Sequence, residues 1–216
     1  MPSRVIIDIA TSGADPSRHS ILELCAVKVD ESFNYMDVFN CRILYQDLFV
    51  SPAAVAFNGI DLRNTSGLVP QAAALDGLCR FLSVNFNYEQ LASGNCRTEK
   101  YTHVGFGAAF DATFLRSFLG DRVFSTLFLP RVSELGSMFE AAMFAGLVSR
   151  PTSARMADLA IAAGVDVPAD GAHSALADAQ MALSLGRSLY VLLTEAGQQL
   201  RGQTPQATFQ QPPEPA

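Results

Sequence analysis

The order in which two hydrophobic periodicities appear constrains the fold of this chain more than any other feature. Three runs rich in Val, Ile and Phe come first, at Arg4 to Ile9, Ile21 to Val29 and Tyr35 to Leu44, with turn residues after the second at Asp30 to Ser32. They predict a three-stranded antiparallel meander. A helical turn is expected at Pro52 to Asn58, and a helix at Pro70 to Val84, where Ala72, Leu75, Leu78, Cys79 and Leu82 share a face. Strands first, then strands alternating with helices, predict an α/β fold: a mixed sheet, antiparallel meander plus parallel strands, flanked by helices.

The remainder fits that plan. Residues 85–100 are polar and weakly periodic and read as a surface loop, and Tyr101 to Phe106 reads as a strand. A helix is expected from Ala108 to Leu119, closed by Gly120, and an apolar run from Val123 to Leu129 stops at Pro130. Further helices are expected at Ser133 to Leu147, at Ser153 to Ala163 with Gly164 as cap, and at Ala172 to Glu195. A length of 216 residues with 49% hydrophobic content fills one core, so one domain is expected over 1–195. Residues 196–216, ending QATFQQPPEPA, are expected to form a disordered Gln- and Pro-rich tail.

Several function classes drop out on composition. No stretch approaches the roughly 20 apolar residues of a membrane span, and the expected setting is soluble and cytoplasmic. Cys25, Cys41, Cys79 and Cys96 show no C-x-x-C spacing, which argues against a zinc site or a disulfide framework. With 15 Lys and Arg against 21 Asp and Glu, the net charge is −6, so nucleic-acid contact has to come from a local patch or from base stacking.

Three acidic positions and one histidine carry chemistry only in combination. Asp8 ends the first strand before a Thr-Ser-Gly turn, where a turn-forming Asp is the plainer reading. Asp111 sits in the first turn of a predicted helix, where it also complements the helix dipole. In HSALADAQMAL, His173 and Asp178 are five residues apart, about 140° around an unbroken helix, so they share a cleft only if His173 stands at the irregular helix start. Together, three carboxylates and a histidine suit two-metal phosphodiester hydrolysis, in which shared carboxylates hold two Mg²⁺ or Mn²⁺ ions and the histidine takes a proton from water.

At this point the sequence resembles a known family. DIATSG, FDATFL and HSALADA are similar to the three motifs of DEDDh-type 3′-to-5′ exonucleases, whose fold is ribonuclease H-like, and AVAFNGID is similar to a segment of the ribonuclease T branch. The resemblance implies Asp8, Asp111 and Asp178 as metal carboxylates, His173 as general base, and Thr11, Phe57 and Phe110 as substrate-binding residues. It further implies 3′ ends of single-stranded RNA or DNA as partners, and a homodimer. On its own Phe57 reads as core, and only the AVAFNGID match brings the substrate-binding reading level with it; Phe114 and Phe118 read as core, His19 and His103 as structural or solvated, and Arg150 and Arg155 as a solvated helix start.

The departures are as informative. Ala10 stands where the first motif carries a glutamate, Phe106 and Gly107 replace His-Asn ahead of the second motif, and Ala14 and Ala53 replace an aromatic and a glutamate that hold substrate. A methyl group at position 10 coordinates nothing, and even an indirect loss at a metal site typically costs about 10- to 100-fold in affinity or activity. Two readings follow: a weakened exonuclease, and an inactive pseudo-exonuclease kept as a module for binding nucleic-acid ends or protein.

Overall fold

The computed structural model describes residues 3–167 and 174–202. Its centre is a six-stranded mixed sheet in the order β4-β3-β2-β1-β5-β6. The strands β1 (Arg4–Thr11), β2 (Ile21–Val29) and β3 (Tyr35–Leu44) form the expected antiparallel meander. The strands β4 (Leu68–Pro70), β5 (Tyr101–Gly105) and β6 (Phe128–Glu134) add parallel pairings at either side.

Strand alternation decides what faces what. In β1, Val5, Ile7 and Ile9 enter one core, shared with helices α2 (Gln71–Ser83), α3 (Tyr88–Ser93), α4 (Ala108–Leu119) and α5 (Asp121–Leu127). Ile6 enters a second core on the opposite face, with Cys25, Val27, Val104 and helices α6 (Leu135–Phe144), α7 (Met156–Ala162) and α8 (Ala175–Gly202). By the same period of two, Asp8 and Ala10 share Ile6's face, beneath α8. Val5, Ile6 and Ile7 have essentially no exposure, each burial contributing about 1.5–3 kcal/mol, so a one-residue slip that would turn Asp8 into the first core is strongly disfavoured. The helix α8 seats closely: a Cβ on Gly186 would stand 2.7 Å from the Phe33 ring.

Four expectations need correction. The polar stretch 85–100 contains α3, started by an Asn87 and Gln90 capping box and ended by Gly94 at φ 80°. Pro70 ends β4 and caps α2 instead of lying inside it. The run Val123 to Leu129 is split between α5 and β6, and β6 continues through Pro130. That proline is tolerated because β6 is an edge strand and because its pairing with β5 jumps from Phe128 opposite Tyr101 to Val132 opposite His103. Finally, α8 runs to Gly202, past the helix end expected at Glu195; residues 203–216 lie outside the described residues. Among the described residues, no helix is long and apolar enough to cross a membrane, and all four cysteines are free thiols.

Candidate active site

The acidic residues meet where β1 and β5, running parallel, end beside the start of α4. Asp8 is half-buried on β1. Burial above all, then the charges of Asp178 and Glu23, push its carboxyl up to about 8. Asp111, in the first turn of α4, is only 5% exposed, and burial followed by the charges of Asp8 and Glu134 lifts it to about 9. Asp178 reaches the same place from the first turn of α8. The fold thus brings Asp8, Asp111 and Asp178 into one electrostatic cluster, with Glu23 and Glu134 at its edges.

Local structure fixes each member. The helix α4 begins at Gly107, whose φ of 79° lies in the left-handed region that glycine and asparagine tolerate best. Gly107 offers no side chain as a cap, and Glu134 supplies one from β6: its Oε1 accepts from the Gly107 N–H and its Oε2 from the Ala108 N–H, both at 2.8 Å. A carboxylate at a helix N-terminus is favourable, and this one anchors the turn that carries Asp111. The sequence offered no motif that singles out Glu134.

The turn after β1 is braced through Ser12, which has no exposure. Its Oγ donates to the Phe49 carbonyl at 2.7 Å and accepts from the Ser20 N–H at 2.9 Å, while its carbonyl accepts from the Ser51 N–H at 2.7 Å. The Asn58 Nδ2 donates to the Thr11 carbonyl at 2.8 Å, tying helix α1 (Pro52–Asn58) to the end of β1. The Thr11 hydroxyl is buried and donates to the Gly13 carbonyl at 2.7 Å, so it serves the turn itself. Phe57 on α1 is 77% exposed and belongs to no core. Phe110 is 41% exposed, with its ring centroid 4.9 Å from that of the buried Phe114. His173 lies outside the described residues. His103 is fully buried in β5, where burial depresses it to about 4, and His19 packs on the Phe49 ring.

Whether a metal ion suits these residues is answered by Asp111. Among the described residues its Oδ2 is buried and finds no hydrogen-bond partner, and a second carboxylate with a raised pKa stands beside it. Such a pair fits a cation, whose charge would offset both the burial and the mutual repulsion. The structure shows less than the two-metal cage expected from the sequence: among the described residues, no group of three or more His, Cys, Asp or Glu could hold a metal ion. Position 10, two residues along β1 from Asp8 and opposite Glu23 in the β1–β2 ladder, contributes a methyl group and no oxygen.

No protein-family model matches the chain. It is similar to ribonuclease T of Haemophilus influenzae strain PittEE, at 30% identity over 191 residues, covering 84% of this chain and 76% of that protein. It is also similar to ribonuclease T of Enterobacter sp. strain 638, at 28% identity over 190 residues, covering 84% and 78%. In fold it matches E. coli exonuclease I in complex with a dT13 oligonucleotide, with a TM-score of 0.69 and 18% identity over 93% of this chain. A moderately thermophilic exonuclease I from Methylocaldum szegediense matches with a TM-score of 0.67 and 17% identity over 93% of this chain. The chain spans under half the length of these exonuclease I chains, 44% and 46%. Their likeness shows the same mixed sheet flanked by helices, and the curated relatives show the lineage: this chain belongs to the ribonuclease T family of DEDDh-type exonucleases.

Proposed function

We propose that this chain engages the 3′ ends of single-stranded RNA or DNA at the Asp8–Asp111–Asp178 cluster and hydrolyses the terminal phosphodiester slowly, with a divalent ion, Mg²⁺ or Mn²⁺, held at Asp8 and Asp111. The buried, unpartnered Oδ2 of Asp111 beside Asp8 carries this reading. An exonuclease I–single-stranded DNA complex of matching fold exists in a zinc-bound form. When bound, a divalent ion supplies charge to the phosphoryl oxygens and makes water more acidic. The chain's own residues do the rest: Asp8 and Asp111 bind, Asp178 closes the cluster from α8, and Phe57 and Phe110 offer exposed rings for terminal bases. His173 is the proton acceptor in this scheme. Slowness follows from Ala10, which supplies no carboxylate where the family's first motif carries a glutamate. A homodimer belongs to the same reading, and sedimentation of the full chain checks it.

The assay is trimming of a 3′-overhang RNA in Mn²⁺ by wild type, Ala10→Glu and Asp178→Ala. Slow trimming by wild type, faster trimming by Ala10→Glu and none by Asp178→Ala is expected. Trimming confined to Ala10→Glu would identify a disarmed binding module, and equal trimming by wild type and Asp178→Ala would refute the site.

A further inference from the structure

Glu23 has no part in the scheme above, yet it stands directly opposite Ala10 in the β1–β2 ladder and on the face that carries Asp8. Its carboxylate is fully engaged. Oε1 pairs with Nε of Arg42 on β3 at 3.2 Å, and Oε2 accepts from the Ala175 N–H at 3.3 Å. Arg42 is also Glu23's cross-strand partner, so the ion pair lies along the sheet and leaves the second oxygen aimed at the helix above.

That helix is α8, and Ala175 is its first residue. A helix leaves four N–H groups without partners at its start. In α8 the Ser174 Oγ accepts the one from Ala177 at 3.2 Å, and Glu23 accepts the one from Ala175 across the gap between helix and sheet. Ala175 and Asp178 are three residues apart, adjacent on one helical face. A sheet carboxylate that fixes Ala175 therefore also fixes the rotation and height at which Asp178 faces Asp8. The side chains of Ala175 and Ala179 are buried and too small to key the helix by shape, and this hydrogen bond ties the α8 start to the sheet.

We propose that Glu23 is the positioning residue of the cluster: braced by Arg42, it holds the first turn of α8 so that Asp178 meets Asp8, and it does so as a hydrogen-bond acceptor, not as a metal ligand. The proposal rests on the reading that the Asp8–Asp111–Asp178 cluster serves a cation. Arg42 has a second effect, since its charge offsets part of the negative charge that Glu23 adds around Asp8.

The test is Mn²⁺ titration by calorimetry on the full chain, in the wild-type and Ala10→Glu backgrounds, comparing Glu23→Gln, Glu23→Ala and Asp178→Ala. Glutamine keeps an acceptor oxygen for the Ala175 N–H, so Glu23→Gln should bind Mn²⁺ within roughly 3-fold of its parent. Glu23→Ala should lose roughly 10- to 100-fold, the usual cost of removing a group that orients a metal ligand. Glu23→Gln as weak as Glu23→Ala would mean that the charge itself matters, and would overturn the positioning role. Unchanged binding in Glu23→Ala with a loss in Asp178→Ala would remove the inference and keep the site. No Mn²⁺ binding in either background, or none lost in Asp178→Ala, would remove both. Should Glu23→Ala fail to fold, amide exchange at Ala175 decides: protection retained in Glu23→Gln supports the bond, and protection lost there overturns it.

Discussion

Asp111→Asn is the sharpest perturbation the structure offers. Burial and two neighbouring carboxylates raise the Asp111 carboxyl to about 9 from an ordinary value of 3.8. The native state therefore holds this proton more tightly than the unfolded chain does. The resulting stabilisation is fully present below pH 3.8 and is lost as pH rises through about 9. Asparagine has nearly the same shape and no charge to lose. In EDTA at pH 4 the two proteins should melt within about 2 °C of each other, since a raised pKa makes little difference where the unfolded carboxyl is itself close to half protonated. The advantage of asparagine then grows by at most about 1.4 kcal/mol per pH unit, an upper bound of about 7 kcal/mol over the whole shift, which relaxation around the buried charge limits to about 3–5 kcal/mol by pH 9. At about 2–4 °C per kcal/mol, that is a Tm higher by roughly 6–20 °C. Differential scanning calorimetry of both proteins across that range, with and without Mn²⁺, is the assay. Mn²⁺ should shrink the gap by stabilising the parent. A Tm difference independent of pH, or a variant less stable at pH 9, would refute the assignment of Asp111 as an unpaired acid.

Other outcomes follow from single residues. His103, without exposure and held at about 4, is neutral in the native state, so stability should fall by about 3 kcal/mol as pH drops from 6.5 through 4; His103→Leu should flatten that limb of the melting profile. Phe57→Ala should leave Tm unchanged and weaken binding of a short dT oligonucleotide by about 1–3 kcal/mol in a fluorescence anisotropy titration, as befits an exposed stacking ring. Gly186→Ala should cost about 1–3 kcal/mol in urea unfolding, because its Cβ collides with the Phe33 ring beneath α8.

Much of the frame was legible because it depends on local pattern. The meander strands at Ile21–Val29 and Tyr35–Leu44, the turn of helix at Pro52–Asn58 and the helix at Ala108–Leu119 follow directly from side-chain period and from Gly120. The misses have tertiary causes. Pro130 reads as a stop, and only a neighbouring strand that tolerates an irregular pairing lets β6 pass through it. The short β4 has three residues and no period to detect, whereas the capping box at Asn87 and Gln90 was present in the sequence and outweighed there by the polar composition around it. In the site, the three aspartates could be picked out by motif, but Glu134 and Arg42 could not. Glu134 matters only because β6 ends beside Gly107, and Arg42 because β3 pairs with β2 at Glu23. Departures from the family motif were equally visible: Gly107 takes the left-handed backbone that starts α4, while the loss at Ala10 has no structural remedy among the described residues.

Anomalous diffraction from Mn²⁺-soaked crystals of Ala10→Glu and wild type addresses the cation site itself. A peak at the carboxylates of Asp8 and Asp111, strong with glutamate at position 10 and weaker with alanine, is the predicted result. Peaks only at surface carboxylates away from Asp8, with Asp111 Oδ2 still unbound in both crystals, would contradict it.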